Sequence, residues 1–218
     1  MKSHPGLSRA ERGEASRERI LQAALELLGK RGYAATSVSA ICERAGVAKT
    51  ALYWHFGSKE GLLLTLLKRT RTTWIEEIQK STSEAGDPAG RLDRFVAGLR
   101  RLVEHHHEIL CLHKSVTLEH ADLHPEICDE MRRIQDRITG AITEGIEDAL
   151  GRRVPGLDLA AFTALSLLDR IAFLYRLDPD GIDLDRLFEH AKEMIGLAIR
   201  RAIQHAEAAG ADRNGGKP

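Results

Sequence analysis

The apolar residues of this chain recur three and four positions apart along almost its whole length. That spacing places them on one face of an α-helix, whereas a half-buried strand would alternate apolar and polar residues. No run of roughly four to eight residues shows such alternation. The pattern therefore predicts an all-α protein.

Eight helical segments follow from this spacing and from the turn signals between them. They are expected at residues 16–31, 38–45, 49–56 and 58–81, from residue 92 onward, and at residues 125–150, 157–176 and 184–206. Glycines at 32 and 46 and the segments EAGDPAG (84–90), GRRVPG and DPDG separate them, as turn-forming residues do.

Charge divides the chain into a basic front and an acidic rear. The first 80 residues contain 14 Lys and Arg against 8 Asp and Glu, and the remainder contains 18 against 24. At 218 residues the chain exceeds a typical single domain of roughly 100–150 residues. The asymmetry indicates two functions, with the front binding a polyanion.

Cysteine usage and hydropathy predict a cytoplasmic protein with no membrane segment. Cys42, Cys111 and Cys128 form no CxxC pair, and Cys42 falls in an apolar helical pattern typical of a core residue. The N-terminus lacks the apolar core of a secretory signal. Charged residues interrupt the one apolar stretch long enough to suggest a membrane, at residues 157–177.

Two short predicted helices meet at a glycine-containing turn near the N-terminus, and the second is rich in polar and aromatic side chains. This arrangement is typical of a helix-turn-helix, whose second helix enters the major groove of DNA, about 12 Å wide. The motif predicts DNA binding by the basic front.

The run GYAATSVSAICERAGVAKTALYWHFGSKEGLL, residues 32–63, resembles the tetracycline-repressor (TetR) family of transcriptional regulators. That family's pattern pairs Gly-aromatic and Thr-Ser with Ala-Gly-Val, Leu-Tyr-x-His-Phe and Ser-Lys-Glu, and this chain keeps their order and spacing. Two positions depart from it: Ala48 stands where a capping Ser is common, and Thr50 where Gly is often found. The resemblance spans residues 17–63.

The resemblance implies a three-helix DNA-binding domain at residues 15–60, followed by a larger helical domain for effector binding and dimerisation at residues 61–206. Outside these domains we expect a flexible N-terminal tail at residues 1–14 and a disordered tail at residues 207–218.

The resemblance also implies that the third helix faces DNA through Lys49, Thr50, Tyr53, Trp54 and His55. Helical geometry supports much of this, since Leu52 and Phe56 lie four residues apart on the opposite side. A hydroxyl donates or accepts and a methyl touches thymine, so Thr50 is the expected base reader. Lys49 can reach a guanine edge or a phosphate.

Phosphate contacts, which set the register of a protein on DNA, are expected from Tyr53, His55 and Lys59. Lys59 falls in the first turn of the fourth helix, where unpaired amides and the helix dipole attract an anion. Thr36 or Ser37 can serve in the same way at the second helix.

For two of the rings a packing role is the alternative, in which Tyr53 and Trp54 cover the core of the small domain. Phe56 is predicted to face inward.

A single helix-turn-helix contacts too few base pairs to find one site in a genome, so we expect a homodimer on a near-palindromic operator. The helices at residues 157–176 and 184–206 are expected to form the contact between the two copies of the dimer. The first is apolar almost all round, and the second presents a seam with small residues.

The family resemblance further implies a small-molecule pocket in the rear domain. Its candidate lining consists of positions expected to face inward: Phe95, Leu99, Leu102, His106, Met131, Ile134, Ile138, Phe162 and Asp169. The alternative for each apolar member is ordinary core packing, and for Asp169 an ion pair with an arginine.

A metal site is the main competing interpretation. Residues 104–128 contain six histidines and two cysteines, and His107 with Cys111 and His124 with Cys128 share helix faces. Consecutive histidines point in different directions, however, which favours a solvated surface. Metal sensing, and less so metal-dependent catalysis, are kept as alternatives to a regulator that binds no metal. No nucleotide-binding loop, GxSxG or HExxH motif indicates an enzyme.

Taken together, the sequence predicts a DNA-binding regulator that requires no cofactor and is a ligand-responsive repressor of the TetR type. A protein that coats DNA without sequence preference is the non-regulatory alternative.

Overall fold

The computed structural model describes residues 8–82, 88–118 and 125–214. Within those residues it contains eight α-helices and no strand, so the predicted all-α class is confirmed. The helices are α1 (Arg9–Arg31), α2 (Val38–Ala45), α3 (Lys49–Phe56), α4 (Lys59–Thr82), α5 (Pro88–Leu118), α6 (Pro125–Leu150), α7 (Asp158–Leu177) and α8 (Leu184–Asn214).

Helix α1 begins seven residues earlier than predicted. The Ser8 hydroxyl accepts from the Glu11 amide at 3.2 Å, and the Glu11 carboxylate accepts from the Ser8 amide at 2.6 Å. This reciprocal capping box satisfies two amides that would otherwise lack partners. Residues 9–14 are therefore helical rather than part of a flexible tail, and residues 1–7 lie outside the described residues.

The C-terminal and linker predictions are also revised by helix ends. Helix α8 continues to Asn214, so most of the predicted disordered tail is helical, and residues 215–218 lie outside the described residues. Alanines at 206, 208, 209 and 211 favour this extension. Helix α5 begins at Pro88, inside the predicted linker, because proline is well suited to a first helical position. Residues 83–87, which include the rest of that linker, are not described.

The chain packs as two compact units. The first takes in the described residues of Met1–Thr70 and Glu108–Arg132. Its core joins α1, α2 and α3 with the start of α4, since α1 packs against both short helices. Its fully buried side chains include Ile20, Leu21, Leu28, Ile41, Leu52, Leu62, Leu63, Leu66 and Leu67. Because α4 continues without a break and buries four leucines beyond residue 60, this unit differs from the predicted domain of residues 15–60.

The second unit takes in the described residues of Arg71–His107 and Arg133–Pro218. In it α7 packs against α8 along a stripe of small and branched residues. The buried members of α7 are Ala160, Ala161, Ala164, Leu165, Leu168, Ile171 and Ala172. Helix α5 is interrupted at His106, whose φ of −137° and ψ of 24° are not helical. Within the described residues no helix is long and apolar enough to cross a membrane.

Candidate nucleic-acid interface

The turn between α2 and α3 depends on one glycine. Gly46 adopts a left-handed conformation, with φ 63° and ψ 43°. Its amide donates to the Glu43 carbonyl at 3.2 Å, and the Val47 amide donates to the Cys42 carbonyl at 3.0 Å. A residue with a Cβ would be strained here, so glycine allows α2 to end where α3 must begin.

Both ends of α2 are held by side chains. The Ser37 hydroxyl accepts from the Ala40 amide at 3.1 Å and caps the N-terminus. At the other end the Arg19 guanidinium of α1 donates to the Ala45 carbonyl at 3.2 Å. These contacts fix the helix against α1 and so fix the surface from which α3 projects.

Helix α3 divides sharply into a buried and an exposed side. Leu52 is completely buried, whereas Tyr53 is 49% exposed and Trp54 is 78% exposed. Lys49 and Thr50 at the start of the helix are exposed as well. The structure thus places these four candidates on the outside, and the Trp54 indole covers no core formed by the described residues. Their contact with DNA stays a prediction.

The aromatic cluster is a chain of ring contacts along the surface. The Trp54 and His55 ring centroids lie 4.5 Å apart in an edge arrangement, and those of His55 and Phe56 lie 5.9 Å apart. Phe56 is only partly buried, with the Arg17 guanidinium 5.6 Å from its ring centroid. Partial burial, and next the Arg17 charge, lower the pKa of His55.

Thr36 requires a correction. Its side chain is 1% exposed, and its hydroxyl lies 2.8 Å from the Gly32 carbonyl and 3.3 Å from the Leu27 carbonyl. Both acceptors are carbonyls near the end of α1, so this hydroxyl closes the α1–α2 turn and cannot reach a phosphate. Ser37 is exposed, so it is the member of the predicted pair that can still contact a phosphate.

The junction between α3 and α4 is unusually close. The Ser58 hydroxyl accepts from the Gly61 amide at 3.0 Å and caps α4. A Cβ built on Gly61 would lie 2.1 Å from the Phe56 carbonyl oxygen, a separation that no side chain can tolerate. Gly61 therefore lets the end of α3 lie against the first turn of α4.

Lys59 lies in this first turn with its ammonium engaged by the protein. Its Nζ donates to the Tyr33 carbonyl at 2.6 Å and lies 4.0 Å from the centroid of the Tyr33 ring. The Tyr33 hydroxyl in turn donates to Glu60 Oε1 at 2.9 Å. The Glu60 amide, then the Ser58 and Tyr33 hydroxyls, lower the pKa of Glu60. Sequence reasoning missed Tyr33 and Glu60 because this contact joins residues 26 and 27 positions apart.

A second exposed surface lies on α7 and α8, opposite the stripe by which they pack. Leu159 and Phe162 of α7 are 69% and 64% exposed, and Met194 and Leu197 of α8 are 37% and 48% exposed. Leu159, Met194 and Leu197 line a groove of about 460 Å³ with Pro155. Apolar side chains clustered on a surface in this way mark an interaction site.

Most candidate pocket residues lie in the core of the second unit. Phe95, Leu99, Leu102, Ile134 and Ile138 are all buried. Burial is what both a pocket lining and ordinary packing require, so their role in ligand binding stays a prediction.

Two of the candidates do not face inward. Phe162 is 64% exposed and Asp169 is exposed, because α7 buries its alanine-rich stripe and turns these residues outward. Met131 is partly buried and belongs to the first unit. His106 occupies the non-helical position of α5. We therefore remove Phe162 and Asp169 from the predicted pocket.

The histidine-rich segment, residues 104–128, was the candidate for a metal site. No group of three or more His, Cys, Asp or Glu side chains is arranged to hold an ion among the described residues. The His107 ring instead meets the Tyr175 ring edge-on at 5.6 Å. His120 and His124, which belong to the same histidine-rich segment, lie outside the described residues.

Comparison with known proteins points to one family. Residues 20–66 match the model of the bacterial regulatory proteins of the tetR family. The fatty acid metabolism regulator protein of Bacillus subtilis is 25% identical over 83% of this chain and 93% of its own length. The HTH-type transcriptional regulator TtgR of Pseudomonas putida is 29% identical over 80% of this chain and 86% of its own.

Solved structures show the same fold. The TetR family transcriptional regulator PfmR from Thermus thermophilus has a TM-score of 0.63 at 28% identity, over 84% of this chain and 97% of that one. A transcriptional regulator from Rhodococcus sp. Rha1 has a TM-score of 0.69 at 20% identity, over 85% of this chain and 96% of that one. The named relatives are transcriptional regulators; none of these names describes a metal sensor or an enzyme.

Proposed function

We propose that this chain, a DNA-binding transcriptional regulator of the TetR family, is a repressor that binds a palindromic operator as a homodimer and releases it when a small molecule binds. The observation that carries the proposal is the outer face of α3. There Lys49, Thr50, Tyr53 and Trp54 are exposed while Leu52 anchors the helix in the core.

The exposed face of α3 supplies the chemistry for reading a major groove. Thr50 would read a base edge or a thymine methyl, and Lys49 would reach a guanine or a phosphate. Tyr53, His55 and Ser37 would contact phosphates and set the register. Trp54 would add apolar contact at the edge of the same surface.

The exposed face of α7 and α8 supports the dimer. Leu159, Phe162 and Leu197 would be buried against the same residues of a second copy, because a two-fold axis brings identical patches together. Two helices from each copy would form a four-helix contact. The two α3 helices would then meet successive major grooves about 34–36 Å apart.

Effector control follows from thermodynamic linkage. A ligand that prefers the conformation unable to span two grooves must weaken operator binding by the factor by which the operator weakens ligand binding. Helices α5 and α6 supply the buried candidates for its pocket. A chromosomal operator would place this function in the cytoplasm.

Selection from a pool of random duplexes tests the proposal directly. The chain should enrich one near-palindrome, and the spacing between its half-sites should match two grooves on one face of DNA. Tight binding without enrichment would support the DNA-coating alternative instead. No binding at low salt would contradict both.

A further inference from the structure

We infer that Lys59, Tyr33 and Glu60 form a clamp that positions the DNA-contacting start of α2, and that Lys59 acts through this clamp rather than by binding a phosphate. The inference rests on the proposed DNA binding. It assigns Lys59 a role different from the phosphate contact that its place in the sequence predicts.

Both ends of one tyrosine are held by neighbouring residues of α4. The Lys59 ammonium donates to the Tyr33 carbonyl at 2.6 Å, and the Tyr33 hydroxyl donates to Glu60 at 2.9 Å. The ammonium also lies over the Tyr33 ring at 4.0 Å, within the range of a cation–π contact. Three contacts to two successive residues leave the tyrosine little freedom relative to α4.

The clamped carbonyl is a fixed point of the α1–α2 turn. The Thr36 amide donates to the same Tyr33 oxygen at 3.3 Å, and the Thr36 hydroxyl bonds to the Gly32 carbonyl at 2.8 Å. Ser37, the cap of α2, follows directly in the chain. The clamp therefore ties the position of Ser37 to the first turn of α4.

The same first turn of α4 fixes α3 from the other side. Gly61 lies against the Phe56 carbonyl, and Ser58 caps α4 through the Gly61 amide. One turn of helix thus holds the end of α3 and the start of α2, which are the two elements proposed to contact DNA. Loosening the clamp should change the spacing of these elements without unfolding the unit.

The salt dependence of DNA binding distinguishes a lysine that binds a carbonyl within the protein from one that binds a phosphate. Affinity for DNA falls as salt rises, and removing a single phosphate contact makes the plot of log affinity against log salt shallower by about 0.9. A clamp residue contributes no such counterion release. Its removal should weaken binding by a similar factor at every salt concentration.

The experiment compares Lys59→Met with the parent dimer on the selected operator across a series of salt concentrations. We expect affinity to fall roughly tenfold, as loss of a charge-assisted hydrogen bond allows, with the salt slope unchanged. Lys49→Met serves as the matched control, and its slope should fall. Lys59→Arg should restore affinity, because guanidinium also donates to a carbonyl and stacks on a ring.

Tyr33→Phe tests the other arm of the clamp, since it removes the hydroxyl and leaves the carbonyl and the ring. Affinity should fall about threefold, again with an unchanged slope. A slope lowered by Lys59→Met would show a phosphate ligand and overturn the clamp. Unchanged affinity and slope in that variant would overturn it as well.

Hydrogen exchange tests the clamp in the absence of DNA and separates its failure from failure of the proposed function. In Lys59→Met, the amides of Thr36 and Ala40 should exchange roughly tenfold faster, while that of Ala24 in α1 keeps its rate. Unchanged exchange at Thr36 and Ala40 would overturn the clamp even if the parent binds an operator. If the parent selects no DNA but the Thr36 and Ala40 amides still exchange faster in Lys59→Met than in the parent, the clamp would be supported and only the proposed function contradicted.

Discussion

The outer face of α3 and the outer face of α7–α8 both expose large apolar side chains, but their surroundings differ. Trp54, 78% exposed, stands among Lys49, Thr50 and His55. Phe162, 64% exposed, belongs to a face shared with Leu159 and Leu197. An exposed ring beside an ammonium, a hydroxyl and an imidazole suits a polyanion with apolar base edges, whereas one beside other apolar groups suits a copy of itself. Neighbouring chemistry, rather than exposure, distinguishes the two partners.

The largest expected effect comes from placing a charge on the apolar face. Phe162→Asp should separate the dimer and lower operator affinity about a thousandfold or more, because one copy contacts only a half-site. Sedimentation equilibrium and operator titration measure the two consequences. Leu118→Asp is the matched control, since Leu118 is 76% exposed and lies on α5. If Phe162→Asp remained dimeric, the two surfaces could not be assigned to different partners in this way.

The partly buried His113 contrasts with His55, which lies on the surface proposed to contact DNA. Loss of hydration lowers the pKa of His113 to about 4, and its Nε2 lies 3.0 Å from the Thr70 hydroxyl. That hydroxyl donates to the Leu67 carbonyl, so the ring donates to Thr70 in its neutral form.

Acid should therefore destabilise the first unit. Between pH 6.5 and about 4 the unfolded chain binds a proton at His113 that the folded chain does not, so stability falls as pH falls. The contribution amounts to about 3 kcal/mol at most and is fully present above pH 6.5. Urea unfolding at several pH values measures it. His113→Asn should remove much of the slope; an equal slope in that variant would refute the assignment.

The junction between α3 and α4, which positions the surface proposed to contact DNA, should tolerate no added methyl group. Gly61→Ala places a Cβ against the Phe56 carbonyl and should cost about 1–3 kcal/mol through overpacking. Gly140→Ala in α6 is the control, because nothing lies within 4 Å of its added Cβ. It should stabilise the chain by about 0.5–1 kcal/mol, as helix propensity predicts. Thermal unfolding of both variants gives the comparison, and equal melting temperatures would argue against the close junction.

The smallest effect on stability is expected for the most exposed ring. Trp54→Ala should change the free energy of unfolding by less than about 0.5 kcal/mol, yet lower operator affinity about tenfold. Leu52→Ala, two residues away and fully buried, should cost about 2–5 kcal/mol of stability. Denaturant titration and operator titration of the pair separate packing from recognition. A large loss of stability in Trp54→Ala would show that the Trp54 ring packs in the core.

Much of the site was predictable where a local pattern carries the geometry. Gly46 predicted the turn, and the spacing of Leu52 and Phe56 correctly predicted that Leu52 faces the core, whereas Phe56 is only partly buried. The capping box of Ser8 and Glu11 was also readable, since it needs residues only three apart. That signal marks the start of α1 at Arg9.

Tertiary structure decided what depends on distant neighbours. Thr36 and Ser37 are adjacent and chemically alike, yet the end of α1 buries one hydroxyl and leaves the other residue exposed. Helix α7 is apolar almost all round, so spacing could not tell which side would pack on α8, and Phe162 proved to face outward.

By itself, then, the sequence determined the helical class, the helix-turn-helix pattern and the resemblance to the TetR family, because each depends on residues a few positions apart. The partner of Lys59 was decided only by the fold, since Tyr33 lies 26 positions away. A contact across such a distance depends on how the turn after α1 packs against α4, and packing is a property of the whole unit rather than of any one segment.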